Sequence, residues 1–353
     1  MYRTLLACLC AGSFNAQAQL PPLDVEWSAV RVFTESGPNA HISRDPLTGL
    51  YTWALLNNYD GADDELMYPF QTDGTDIAPS YPEWFHIGSL DRLVDVSVRD
   101  SVVHRIMYHQ NIGGIPQDIY WHLDDQVIQH SLSNGDLIDT GYDILVTDEG
   151  VYGCGEAETH YVPDSSMANL VKLDLQGNML WNILWRDPAH AQDAFTSVAV
   201  IGDSVYCAAI GQVALFDRIT GAFIGTFDPT GLGLSGLKLY AAGNTLYWVG
   251  RSGNELMVGA YTPGSAQGLS GSLTIAGQSG DPKLVVDDQG RLWAATNTPG
   301  TGYWALFGPA MQLLSSGTLY ESIEDLCFVN GKLSITGIMS GGTAYLITGT
   351  PQP

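Results

Sequence analysis

The sequence predicts an all-β chain: one seven-bladed β-propeller of four-stranded antiparallel blades, with the ring closed by the N-terminal strand. Three observations predict it. One strand–turn–strand pattern recurs seven times along the 353 residues. Its recurrences are spaced roughly 40 to 50 residues apart, the length of a propeller blade. The two ends of the chain each carry an unpaired strand that the other end could complete.

The chain opens with Arg3, an apolar stretch from Leu5 to Cys10 and on to Phe14, and then Ala16-Gln17-Ala18. A short basic region, an apolar region and small residues are the order of a secretory leader, so residues 1–18 are expected to be a signal peptide cleaved after Ala18. The expected location is secreted, periplasmic or cell-surface, with a propeller over 19–353. The remaining apolar runs are too short to span a bilayer as helices, so no membrane insertion is expected. The chain carries 14 basic and 38 acidic residues; with Arg3 removed, 13 against 38 leaves −25. That balance argues against nucleic acid and anionic membrane surfaces as partners. Loss of the leader leaves Cys154, Cys207 and Cys327, too few for a closed disulfide framework. They read as buried small hydrophobes, with room for one pair at most.

The recurring pattern is an apolar strand, a tight turn of Gly, Asp or Asn, and a second strand opening on Val or Leu. It begins at His41-Ile-Ser-Arg-Asp-Pro-Leu-Thr-Gly-Leu-Tyr-Thr-Trp, and returns at Val94-Asp-Val-Ser-Val-Arg-Asp-Ser-Val-Val and Ile144-Leu-Val-Thr-Asp-Glu-Gly-Val-Tyr. The remaining copies start at Val198, Leu237, Leu284 and Leu326. The first apolar residues of the second strands fall at Leu50, Val102, Val151, Val205, Leu246, Leu292 and Leu333. A second hairpin follows most copies, clearest over Leu170–Trp181 and Val213–Ile224, which makes four strands per unit. After Leu333 only Thr343-Ala-Tyr-Leu-Ile-Thr remains, one strand short of a blade; Val25-Glu-Trp-Ser-Ala-Val-Arg-Val-Phe, ahead of the first copy, supplies it. Pairing them would cover two open edges. Glycine, Asn-Gly and Asp-Gly turns interrupt every apolar run before a helix could accumulate.

Leu215-Phe-Asp-Arg-Ile-Thr-Gly-Ala-Phe-Ile resembles the repeat of pyrroloquinoline-quinone-type (quinoprotein-like) propellers, in which an Asp-x-x-Thr-Gly turn joins the two outer strands. Leu173-Asp-Leu-Gln-Gly-Asn-Met-Leu-Trp is a looser version. Val285-Val-Asp-Asp-Gln-Gly-Arg-Leu-Trp-Ala-Ala is similar to a hairpin of lactonase-type propellers. These likenesses cover one or two blades and imply the fold; they carry no catalytic residue onto this chain.

Propellers bind ligands at the mouth of the central channel, where connections from every blade converge. Asp143 and Asp325 each lie eight residues before their markers, Ser197 is equivalent, and Asp95 is one place off. Carboxylates facing one axis are candidate oxygen ligands for a divalent cation, although an Asp entering a strand also stabilises its own turn. Glu156, Glu158 and His160 alternate along one strand and so share a face, a candidate transition-metal shell or acid–base group. Asn57-Asn-Tyr-Asp-Gly-Ala-Asp-Asp-Glu65 gathers oxygen ligands around a glycine but departs from calcium-loop spacing, and reads as an acidic hairpin tip. His104, His109, His122 and His130 form no zinc signature. Trp53, Trp181, Trp185, Trp248, Trp293 and Trp304 fall at repeat positions, as inter-blade packing requires. No nucleophile-elbow, P-loop or dinucleotide fingerprint is present.

These features lean away from an enzyme. They point to an exported, non-enzymatic scaffold for a protein or glycan. The alternative is an exported metal-dependent hydrolase or lactonase, or a quinoprotein-like enzyme, with its site at the central channel.

Overall fold

The computed structural model describes residues 21–32, 40–58, 63–70, 73–74, 89–100, 102–111, 118–123, 126–128, 137–159, 166–187, 193–229, 233–265, 268–339 and 343–353. The expected leader, His130, His160 and the tip of the Asn57–Glu65 loop lie outside them.

The chain begins with β1 (Leu23–Val32). The first sheet is β2 (Ala40–Arg44), β3 (Tyr51–Asn58) and β4 (Asp63–Phe70); the second is β5 (Ser89–Arg99), β6 (Val102–Asn111), β7 (Asp118–Leu123) and β8 (Gln126–Ile128). The third holds β9 (Leu137–Thr147), β10 (Gly150–Thr159), β11 (Ser166–Leu173) and β12 (Met179–Trp185). The fourth holds β13 (Ser197–Ile201), β14 (Ser204–Ala209), β15 (Gln212–Asp217) and β16 (Phe223–Phe227). The fifth is β17 (Ser235–Ala242), β18 (Thr245–Ser252), β19 (Glu255–Tyr261) and β20 (Leu269–Thr274). The sixth is β21 (Ser279–Val286), β22 (Leu292–Thr298), β23 (Thr301–Phe307) and β24 (Leu313–Leu319). The seventh is β25 (Asp325–Val329), β26 (Lys332–Met339) and β27 (Thr343–Pro351), with β1 on its outer side.

Among the described residues there are thus seven antiparallel sheets, six of four strands and the first of three. Among the described residues no helix is long and apolar enough to cross a membrane.

Strands consecutive in sequence pair side by side within the sheets, and several of the described turns between them are closed by their own side chains. In the β15–β16 turn, Asp217 Oδ1 accepts the N–H groups of Ile219 and Thr220 and the Thr220 hydroxyl. Gly221 then takes φ +70°, where a Cβ would be strained. The same Asp-x-x-Thr-Gly device joins β2 to β3, where Asp45 accepts from Leu47 N–H and the Thr48 hydroxyl.

The first strands of the sheets are neighbours in a cycle: β2 beside β5, β5 beside β9, then β13, β17, β21, β25, and β25 beside β2 again. The core lies between consecutive sheets. Tyr152, Cys154 and Leu170 of the third pack on Phe195, Val205 and Phe216 at the fourth, and Trp248 of the fifth packs on Ile201 and Tyr206 of the fourth. Further clusters fill the fifth–sixth and sixth–seventh boundaries, the latter around Trp293 and Trp304. Trp53 of the first sheet packs with Leu346 of the seventh and donates its indole N–H to Thr336 Oγ1 at 2.8 Å. The repeated tryptophans therefore serve inter-sheet packing. Burying both sides of a sheet this way removes water from large apolar side chains, which stabilises by roughly 1.5–3 kcal/mol for each one fully buried.

The room left for a cysteine pair is not used: Cys154, Cys207 and Cys327 are free thiols, and burial pushes all three well up from the usual thiol value.

β1 runs antiparallel to β27 from Leu23 opposite Pro351 to Val32 opposite Thr343. Removing residues 1–32 would leave that edge of β27 without its ladder. We expect the shortened chain to show a lower urea midpoint and self-association in sedimentation velocity; an unchanged midpoint and a monomer would contradict this.

Candidate functional site: a charged belt around the channel

The pairing register aligns one residue from every inner strand. The residue three places before the inner hairpin partner of Tyr51, Val103, Val151, Val205, Leu246, Leu292 and Leu333 is respectively His41, Asp95, Asp143, Ser197, Lys238, Lys283 and Asp325. Two sequence markers are corrected by this register. In the first sheet the aligned residue is Tyr51, not Leu50; in the second it is Val103, not Val102, because Arg99 pairs with Val102 across a turn whose Asp100 has φ +51°. Asp95 is therefore in step with Asp143 and Asp325, not one place off.

All seven belt residues line a single cavity of about 500 Å³ whose walls include residues of every inner strand. Backbone irregularities place four of them. The ladder slips between Leu93 and Asp95, around Tyr142 just before Asp143, between Ser235 and Lys238, and between Ser279 and Lys283. Each bulge re-aims the side chain that follows it. Gly236, at φ +60°, lies in one of these.

The carboxylates bridge sheets. Asp325 Oδ2 accepts the N–H of Ile42 across the seventh–first boundary, while its Oδ1 accepts from Leu326, both within 3.0 Å. Asp95 does the same between the second and third sheets, with Ile144 at 3.0 Å and its own neighbour Val96 at 2.8 Å. Asp143 Oδ2 accepts from Val198 N–H at 2.8 Å and from the Ser197 hydroxyl at 2.7 Å. Ser197 Oγ accepts in turn from Leu239 N–H of the fifth sheet. The first–second boundary uses Ser43 Oγ, which accepts from Val98 N–H. These carboxylates thus tie neighbouring sheets together, and Asp325 and Asp95 also hold the N–H of the residue that follows them.

His41 completes the arc. Its Nδ1 is 3.7 Å from Asp95 and 3.8 Å from Asp325, and the three side chains are 14–21% exposed. One ligand atom from each of His41, Asp95 and Asp325 lies within 4.8 Å of the others. Asp143, also a sequence candidate, lines the same cavity but is not part of that triplet. Opposite, the Lys238 ammonium donates to the Thr196 carbonyl.

Burial pushes the Asp95 carboxyl well above the usual carboxylate range, and the nearby Asp143 and Asp325 push in the same direction. Burial also raises Asp325, to about 6, against the opposing pull of Lys283 and of the N–H donors from Ile42 and Leu326. Burial alone would lower Lys238, but Asp143, Asp281, Cys154 and Asp95 outweigh it and hold the ammonium above its ordinary value.

Glu156 and Glu158 lie on β10 opposite Ala168 and Ser166, so their positions share one face, as the alternation predicts. Glu156 accepts the Tyr142 hydroxyl at 3.0 Å and does not line the cavity. His41, Lys238 and Lys283 were not among the sequence candidates. Lys238 lies eight residues before Leu246, the same offset as Asp143, and a search not confined to acids would have reached it. Longer hairpins put His41 and Lys283 at other offsets.

No family model matches the sequence, and no curated protein matches it. Solved structures do, and they define the class: the chain is a β-propeller built of seven sheets. It is similar to BamB from Moraxella catarrhalis, with 13% identity, a TM-score of 0.51, and coverage of 93% of this chain and 95% of that one. It is similar also to the β-propeller domain of Cps50 (Swd1) from Myceliophteria thermophila, with 10% identity, a TM-score of 0.57, and coverage of 92% and 99%. Raptor from Chaetomium thermophilum matches with 9% identity and a TM-score of 0.58 over 95% of this chain, which spans 29% of that one. At these identities the likeness establishes the fold alone.

Asp143→Ala would strip the acceptor from the buried Val198 N–H, at a cost of about 1–3 kcal/mol for that unpaired donor, and would leave the Ser197 hydroxyl only its longer bond to the Leu239 carbonyl. Asp143→Asn keeps an acceptor oxygen and should retain most of the stability. Urea denaturation of the two variants checks the order; equal losses would argue against a bridging role.

Proposed function

We propose that the chain is an exported propeller, its ring fastened by β1 against β27, that acts as a non-enzymatic binding scaffold for a protein or glycan partner. Its repeats are of the quinoprotein-like kind; the Asp217 turn between β15 and β16 supports that likeness. The observation that carries the binding reading is where large apolar side chains meet solvent. They concentrate on the outermost strands of consecutive sheets: Leu180 on β12, Phe223 and Ile224 on β16, Leu269 on β20, and Leu313 and Leu314 on β24. Apolar side chains gathered along one perimeter mark a surface that another protein covers, and favour a protein over a glycan as partner. The axial carboxylates, by contrast, are engaged in holding sheets together.

The second reading is a metal-dependent hydrolase at the channel, favoured by the proximity of His41, Asp95 and Asp325. Two carboxylates and an imidazole are a donor set suited to a divalent transition metal.

Two measurements separate the readings. Leu180→Asp with Phe223→Asp, at positions 53% and 52% exposed, should leave the melting temperature within a degree or two and abolish co-purification of any exported partner bound at the perimeter. Elemental analysis after gel filtration should find no stoichiometric cation. A cation retained by the native chain and lost from Asp325→Asn would favour the hydrolase.

A further inference from the structure

The outermost strands of the seven sheets are β1, β4, β8, β12, β16, β20 and β24. An open strand edge is ordinarily kept from pairing with other chains by charged residues, by proline or by brevity. β1 carries Asp24, Glu26 and Arg31, β4 carries Asp63, Asp64, Glu65 and Pro69, and β8 is three residues long. The other four edges run five to seven residues without a charge or a proline: Met-Leu-Trp-Asn-Ile-Leu-Trp in β12, Phe-Ile-Gly-Thr-Phe in β16, Leu-Ser-Gly-Ser-Leu-Thr in β20 and Leu-Leu-Ser-Ser-Gly-Thr-Leu in β24. In a chain 15% of whose residues are charged, the unguarded edges fall on four consecutive sheets.

β12 is the most apolar of the four, with Asn182 its one polar residue. Its ladder with β11 is unbroken from Trp181 opposite Lys172 to Trp185 opposite Ala168, so the edge is straight there. Its side chains alternate: Leu180 and Leu184 are exposed, while Trp181, Ile183 and Trp185 pack toward the fourth sheet. Trp185 stacks on Phe195 with ring centroids 5.4 Å apart and lies 6.1 Å from the exposed Phe223 of β16. Gly221, in the turn before β16, sits against Trp181 and Ile183. A further strand on β12 would therefore find support for both its rows of side chains, one continuing Leu180 and Leu184, the other meeting Phe223 and Ile224.

The two ends of this edge differ in charge. Lys172, opposite Trp181, donates to the Arg218 carbonyl and so brings the β15–β16 turn to the start of β12. Asp174, in the turn before β12, and Asp217, in that neighbouring turn, thus lie at one end. Hydrogen bonds from their own turns hold both carboxyls below the usual range, so both are charged. At the other end Arg186 and Asp187 offset each other.

We infer that the protein partner is held by strand addition: it lays an extended segment of alternating apolar residues, ending in a basic residue that meets Asp174 and Asp217, antiparallel along the open edge of β12, and so makes the third sheet five-stranded. Main-chain bonds to the edge supply the grip, and the side-chain rows on either face select the segment. The inference rests on the perimeter as the binding surface and adds the form of what is bound there.

A synthetic peptide of alternating valine and threonine ending in lysine, titrated calorimetrically into the full chain, tests it. Successive N–H groups of an extended peptide point to opposite edges. Methylating the peptide nitrogens along one edge should weaken binding about tenfold or more, and methylating the other edge should leave it within about twofold, because only one edge donates to β12. With the peptide bound, alternate amides of β12 should gain exchange protection and those of β20 should not. Leu184→Lys should abolish binding, and Ser272→Lys on β20 should leave it unchanged. Equal binding by both methylated peptides would mean that side chains alone hold the segment, which overturns strand addition and leaves the perimeter as the binding surface. Loss of the perimeter itself would show separately, as an exported partner retained by Leu180→Asp with Phe223→Asp. No binding of the unmethylated peptide, or a dimer of the isolated chain that Leu184→Lys dissociates, would also overturn the inference, the dimer by placing a second copy on the edge.

Discussion

The structure depends on one repeated constraint: a side chain on an inner strand accepts a main-chain N–H from the inner strand of the next sheet. Asp325, Ser43, Asp95, Asp143 and Ser197 do this at five successive boundaries. Apolar packing between sheets is strong but non-directional, and tolerates sliding of one sheet on another. A bond to a specific N–H does not. It fixes the height of each sheet relative to its neighbour and so keeps the belt residues level around the channel.

That arrangement has an electrostatic cost. The same acids that hold the sheets lie near one another in a poorly solvated place, and only part of their charge is matched by Lys238 and Lys283. Burial and mutual repulsion both push Asp95 upward, while the N–H donor from Ile144 pulls it back. Structural role and proton affinity are therefore two consequences of one placement.

Much of this was legible in the residues. The alternation of apolar strands with Gly, Asp and Asn turns marks all seven units, since a strand must bury one side at period two and a tight turn needs residues that tolerate its dihedrals. Asp143, Ser197 and Asp325 share an offset because their hairpins share a turn length. His41 and Lys283 escape it because Asp45–Leu50 and Asp287–Arg291 form longer turns. The bridging role was illegible: it depends on contact between sheets some 50 residues apart in sequence, and bulges such as that at Tyr142 leave no period to read. The acid at an inner hairpin looks the same in sequence whether it serves the next sheet alone, as Asp143 does, or its own turn as well, as Asp45 does.

The pairing of β1 with β27 has a consequence for biogenesis. Leu23 is synthesised long before its partner Pro351, so the seventh sheet stays incomplete until β27 has been made. Through that interval β1, with an alternating apolar pattern, has no native ladder to join. Such a segment is at risk of pairing with a strand from another nascent chain, and the maturation of this protein favours conditions that keep its early end apart until its late end arrives.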